Sequence, residues 1–196
     1  MCGRFQLMTD KDLKEINWII SHLEEEQRQK IKTGEIFPTN VVPVLMNRNH
    51  QIRPWPMIWG FPHFKGSGVI INARSETAAE KTMFRRSVRE FRCVIPGTGF
   101  FEWKKTSDKS KEKYLIRMPK EPVLYMAGLY REYEEGGRFV ILTTKANRSM
   151  EGIHDRMPLI LKKPEIRSWF RDDHRARQLL EDSTGRPELT MEQMIR

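Results

Sequence analysis

The chain is broken into short apolar runs separated by turn signals, and this pattern constrains the fold more than any other feature. "VVPVLM" (41–46), "IRPWPMIW" (52–59) and "VIIN" (69–72) come first, and "RCVIPG", "GFFEWK", "KYLIRM", "VLYMAGLY" and "RFVILTT" follow between 92 and 144. Each run has strand length, and each is bounded by Gly, Asn, Asp or Pro. Pro43, Pro54 and Pro56 push the first two runs toward edge or bulged positions. "NRNH" and "EEGG" read as tight turns, and the lysine-rich "KTSDKSKEK" as a hairpin connection. Helical spacing appears outside the strand-rich blocks, over 9–30, 76–90 and 164–181, and the first of these opens on a capping box from Thr9 and Asp12. A further short helix is predicted in the tail after "STGRP". Strand runs with helices at the ends predict an α+β fold, a curled antiparallel sheet or partly open β-barrel with flanking helices. Without repeats or an internal linker, residues 1–196 read as a single domain.

Charge narrows the partner. The chain carries 35 Lys and Arg against 26 Asp and Glu, a net of +9, which favours a polyanion. No run is long and apolar enough for a membrane span or a signal core. The two cysteines, Cys2 and Cys93, are expected as free thiols in a reducing, cytoplasmic compartment. The histidines and cysteines show no metal-ligand spacing, and the glycines form neither a dinucleotide fingerprint nor a phosphate loop. No metal and no cofactor is expected.

Polar residues then stand out against apolar surroundings. "MCGRF" puts Cys2 directly behind the initiator methionine, with Arg4 next. Once Met1 is removed, Cys2 carries an α-amine and a thiol on adjacent carbons, a pair no internal cysteine has. "INARSET" places Asn72 and Arg74 on one face of a strand end. "GFFEWK" buries Glu102 between Phe101 and Trp103, where a carboxyl stripped of water suits proton transfer. "GIHDRMP" sets His154 and Arg156 at a strand-to-loop junction. Each also has a purely structural explanation: a helix cap, a cross-strand ion pair, a core histidine.

Together, "MCGRF … WGF … INARSET … FFEWKK … IHDRMP" resembles the SRAP family of abasic-site processing proteins, in order and from residue 2 to about 161. The resemblance implies a mixed α+β domain around a curled sheet. It implies Cys2 as the residue that crosslinks to the opened abasic sugar, with Asn72 positioning it and Glu102 and His154 as acid–base groups. Arg4, Arg74 and Arg156 would hold DNA phosphates. The basic helix with Arg85 and Arg86 would line the groove, and Phe64 would wedge the strand. Partners would be single-stranded DNA with abasic sites, junctions included, bound by a monomer associated with the nucleoid through DNA. A thiol autopeptidase step on Met1 is also implied. The chain departs from the family's usual pattern at "EIFPTN", where a tyrosine–asparagine pair is replaced, and at "WGFPHFKGSG", which lacks the usual tryptophan pair.

The chemistry accounts for the residue types. A neutral α-amine, with a reference pKa of about 7.7–8.0, condenses with an aldehyde to an imine more readily than lysine does at neutral pH. The neighbouring thiol adds to the same carbon and closes a five-membered thiazolidine. Two other classes compete: an N-terminal-nucleophile glutamine amidotransferase, which also begins Met-Cys-Gly, and a non-catalytic nucleic-acid-binding module in which Cys2 is incidental.

Overall fold

The computed structural model describes residues 2–63, 66–107, 110–182 and 184–194. In chain order the first strands are β1 (Arg4–Leu7), β2 (Gly34–Ile36), β3 (Val41–Arg48), β4 (Gln51–Trp59), β5 (Phe61–Pro62), β6 (Val69–Ile70) and β7 (Asn72–Arg74). They are followed by β8 (Arg92–Gly97), β9 (Gly99–Lys105), β10 (Lys111–Arg117), β11 (Leu124–Tyr133), β12 (Gly136–Lys145), β13 (Arg156–Pro158), β14 (Ile160–Leu161) and β15 (Thr190–Gln193). The helices are α1 (Lys14–Ser21), α2 (Glu25–Arg28), α3 (Ser75–Ala78), α4 (Thr82–Glu90), α5 (Lys163–Arg171) and α6 (Asp173–Glu181).

The expected α+β architecture is present, and the curled sheet closes. β4, β3, β8, β11 and β12 pair in turn, all antiparallel, and β12 returns to β4 through a parallel contact, Arg138↔Ile58 and Phe139↔Trp59. A five-stranded barrel results, with no free edge in its wall. A second sheet, in the order β15–β10–β9–β1–β2, is joined to it through the core. Phe5 of β1 meets Trp59 of β4 edge-on at 5.2 Å, and Trp59 lies nearly parallel to Phe139 at 6.3 Å. All three are fully buried, each worth roughly 1.5–3 kcal/mol of apolar transfer or more. That contact fixes β1, and hence the N-terminus, against the barrel.

Two hairpins are as the sequence predicts. β9 and β10 pair down to Lys105↔Lys111, and β11 and β12 turn through "EEGG". Asn49 and His50, at the β3–β4 turn, both have positive φ, as a two-residue hairpin of this twist requires. The proline expectation is corrected: β3 and β4 are wall strands, not edges. Pro43↔Pro56 and Leu45↔Pro54 fall at alternate ladder positions, and the flanking ladders to β8 and β12 do not extend to these prolines. A missing N–H therefore breaks no bond there.

The three long helices are corrected too, because each is interrupted. In 9–30, α1 begins only after Leu13, which makes no side-chain cap, so Thr9 and Asp12 form no capping box. The chain then restarts at Glu24, whose N–H is accepted by the Gln27 side chain at 3.2 Å. In 76–90, Lys81 is extended and separates α3 from α4. In 164–181, Asp172 is extended and its carboxylate accepts from the Arg175 N–H at 2.9 Å, ending α5 and capping α6. The tail predicted as a helix is β15, paired with β10 from Thr190↔Arg117 to Gln193↔Tyr114.

Candidate active site

Cys2 precedes β1, which is held between β2 and β9. Its side chain is fully buried, with Sγ 3.5 Å from the Arg4 carbonyl oxygen. Asn72 opens β7, which pairs in parallel with β12 at Ile141. From there its Nδ2 donates to the Cys2 carbonyl oxygen at 2.9 Å. The other end of that amide, Oδ1, is buried and accepts no hydrogen bond among the described residues. The β1–β9 register pairs Arg4 with Phe101, and continued by one step it sets Gly3 beside Glu102. Glu102 is 3% exposed. Burial, and then the Glu102 charge, push the Cys2 thiol far above the usual thiol range. The sulfur is therefore protonated at neutral pH, and it needs a base before it can act as a nucleophile. Of the set read from the sequence, Cys2, Asn72, Glu102 and His154, the first three meet where the segment before β1 runs between β7 and β9, and His154 stands on the loop after β12.

The cationic residues differ in how they are held. Arg4 reaches Glu35 at 3.1 Å and lies over the Phe37 and Trp103 rings at 4.5 and 5.0 Å. Glu35 also takes Lys113 at 2.7 Å. Burial raises the Glu35 carboxyl, but hydrogen bonds from Lys113 and Arg4 outweigh it and hold the group below its ordinary value. Two cations thus share one carboxylate at this rim.

Arg74 ends β7 and is exposed. Arg156 begins β13 and is bound bidentately by Glu76 at 2.6 and 2.9 Å, while it also donates to the Thr143 carbonyl oxygen. Arg74 and Pro158 are the two ladder partners of Thr143, so β7 and β13 flank the same end of β12. His154 stands two residues before Arg156, and its Nδ1 accepts from the Arg156 backbone N–H at 2.9 Å. The same Nδ1 lies 2.9 Å from the Asp155 carboxylate. His154 lines an open hollow of about 660 Å³ formed by the loop 145–155.

Arg85 and Arg86 are both exposed on α4. Arg85 lines a cleft of about 370 Å³ with Glu76, Arg89 and Arg177. Arg86 pairs with Glu90 at 2.8 Å and covers the Phe91 ring. Trp59 and Phe61 are core residues. Phe64, the wedge candidate, lies outside the described residues. No group of metal-binding side chains occurs among the described residues.

The family model described as SOS response associated peptidase (SRAP) matches residues 1–194. The chain belongs to the SRAP family. Among its SRAP relatives, the abasic site processing protein YoqW of Bacillus subtilis is 35% identical over 186 residues, covering 87% of this chain and 80% of the relative. The abasic site processing protein YedK of Escherichia coli is 31% identical over 182 residues, covering 88% and 81%. A crystal structure of a Bordetella bronchiseptica protein superposes with a TM-score of 0.78 over the whole of both chains, at 18% identity. That likeness concerns the SRAP fold alone.

Sequence reading missed the residues that hold these groups. Glu76, Thr143 and Glu35 orient Arg156 and Arg4 from positions 80, 13 and 31 residues away. Glu76 sits inside "INARSET", two residues after Arg74, which was the only available signal. The pairing partners of Thr143 and Glu35 follow from sheet register, which no local pattern in one sequence displays.

Proposed function

We propose that this SRAP protein processes abasic sites in single-stranded DNA by forming a covalent thiazolidine between Cys2 and the opened sugar. The reading is carried by the hydrogen bond from Asn72 to the Cys2 carbonyl, which holds a buried cysteine beside Glu102 at the very start of the chain. While Met1 is attached, the Cys2 nitrogen is an amide and cannot form an imine. Removal of Met1, by the protein's own thiol or by an aminopeptidase, releases the amine. The unfilled Asn72 Oδ1 is then an acceptor for one of its N–H groups.

The steps follow from the groups present. Glu102 takes a proton from the α-ammonium, and the free amine adds to the C1′ aldehyde. Before that addition, His154 protonates the sugar ring oxygen as the hemiacetal opens and its C1′ hydroxyl gives up a proton, which frees the aldehyde. Water leaves the carbinolamine with a proton from Glu102, giving the imine. The Cys2 S–H then adds across the C=N bond: sulfur bonds to C1′ and the proton goes to nitrogen. Closure is intramolecular and strongly favoured. It removes the imine that would otherwise promote strand cleavage by β-elimination. Arg4, Arg74 and Arg156 hold flanking phosphates, in binding insensitive to base sequence and weakened by salt.

The test is a denaturing gel of the Met1-free protein mixed with a single-stranded oligonucleotide carrying one abasic site. A heat-stable shifted band supports the proposal. Cys2→Ala is expected to abolish that band and keep reversible DNA binding, whereas a purely binding module would leave no band with either protein. Glutamine hydrolysis in place of the band would favour the amidotransferase reading.

A further inference from the structure

At the pole of the barrel opposite Cys2 lies a hollow of about 560 Å³ between α1, the β3–β4 turn and α5. Trp18 projects into it from α1 and is 54% exposed, the largest exposure of a big apolar side chain among the described residues. α1 buries Ile16 and Ile19 on its other face, so core packing does not explain the indole. His22 packs on that indole with ring centroids 4.0 Å apart. Arg53, Arg167 and Arg171 line the hollow with His22 and His50, and no acidic residue does.

The charge there is not neutralised. Arg92, Arg156 and Arg186, by contrast, have carboxylate partners in Asp173, Glu76 and Glu165. Arg53, Arg167 and Arg171 have no ion pair among the described residues; Arg171 donates to the His50 carbonyl oxygen. Arg167 and Arg171 are four apart on α5 and so share a face. An adjoining groove of about 380 Å³ shares His22 and Arg53, is lined also by Glu24, and continues to Trp55, whose ring is covered at 4.6 Å by Arg48, itself paired with Glu132. The exposed Trp18 indole, flanked by guanidinium groups without ion pairs among the described residues, matches a stacked base beside its phosphates.

This surface is separate from the Cys2 site. Trp59, at the far end of β4, donates to the Ile71 carbonyl beside Asn72. Gln51, at the near end, lines the Trp18 hollow. The intervening strand spans about 26 Å at ~3.3 Å per residue. We propose that the Trp18 hollow is a second single-stranded nucleic-acid site, stacking a base on Trp18 and holding its phosphates on Arg53, Arg167 and Arg171. It requires neither a lesion nor the Cys2 chemistry.

The experiment titrates the protein with a lesion-free oligothymidylate and reads tryptophan fluorescence and anisotropy. Saturable quenching is expected. Trp18→Ala and the double substitution Arg53→Gln with Arg167→Gln should each weaken binding by at least ~5-fold, the lower end of a stacking contribution. Trp18→Phe should recover most of the affinity, because it keeps an aromatic face without changing charge. All these side chains are exposed, so the variants retain the fold, which the thermal transition checks. In parallel, adduct formation on an abasic strand too short to reach the hollow should be unchanged by Trp18→Ala. Parent-like oligothymidylate binding by both Trp18→Ala and the arginine double variant overturns the proposal, as does quenching by polyglutamate with none by oligothymidylate. Failure of adduct formation with intact oligothymidylate binding would contradict the Cys2 mechanism and leave this site standing.

Discussion

Asn72 Nδ2 donates to the Cys2 carbonyl oxygen at 2.9 Å, across 70 residues of chain. The bond joins the second sheet to the barrel at the one residue that can carry both an amine and a thiol. Asn72→Ala removes the anchor and leaves the Cys2 carbonyl without its donor. Misplacement of a reacting group by ~1 Å costs about 10²-fold, so adduct formation should slow by about that factor, measured by quenched gel time courses. Reversible binding of lesion-free DNA should change little.

Glu102→Gln keeps shape and burial but removes the proton acceptor. Adduct formation should fall by about 10²- to 10⁴-fold, the usual contribution of a positioned general base. Raising the pH should restore part of the rate, since a larger fraction of the α-amine is then neutral without help. A glutamine variant as fast as the parent at neutral pH would remove Glu102 from the mechanism.

Both thiols are buried, and burial raises Cys93 as it does Cys2. Neither should react quickly with iodoacetamide in the folded protein at neutral pH. Unfolding in denaturant should expose both to rapid alkylation, read by mass spectrometry. Fast native alkylation of Cys2 would contradict the buried, protonated sulfur described above.

The Glu76–Arg156 pair links DNA binding to acid stability. Burial raises the Glu76 carboxyl, but the Arg156 hydrogen bonds and charge hold it below its ordinary value. A folded pKa below the unfolded one, about 4.3, means the pair stabilises the protein above that pH. The contribution is lost as pH falls through the folded value. Glu76→Gln should therefore be less stable than the parent at neutral pH, with the difference vanishing in acid, as followed by denaturant melts across pH. The same change frees the Arg156 guanidinium for a phosphate. Affinity for single-stranded DNA should rise, with a salt slope steeper by about one counterion.

Thr39 is exposed and has φ of 73°, a region costly for a β-branched side chain by about 1–2 kcal/mol. Thr39→Gly should stabilise the protein by about 0.5–1 kcal/mol after the entropy cost of glycine, raising Tm by roughly 1–4 °C for a chain of this size.

The strand pattern made the fold legible because each wall strand is a short apolar run between turn residues. Closure of the barrel was not legible. It depends on a parallel contact between Ile58–Trp59 and Arg138–Phe139, residues some 80 positions apart. The helix breaks at Lys81 and Asp172 were hidden because helical spacing continues through them, while tertiary packing and the Asp172 cap decide the geometry. The Cys2, Asn72 and Glu102 cluster was legible as polar residues in apolar settings and through the family motifs. The Trp18 hollow was not, because Trp18, Arg53 and Arg167 come from three unrelated segments that look, locally, like ordinary solvated positions.

The central claim concerns the bond formed at Cys2, and mass spectrometry of the nuclease-digested adduct tests it most directly. The account requires an N-terminal peptide beginning at Cys2, joined to the abasic sugar with loss of one water, whose mass is unchanged by borohydride because no imine remains. A Cys2→Ser protein should yield a species recovered only after borohydride. An adduct on another residue, one that gains two hydrogens on reduction, or no covalent species at all from the Met1-free protein would contradict the account.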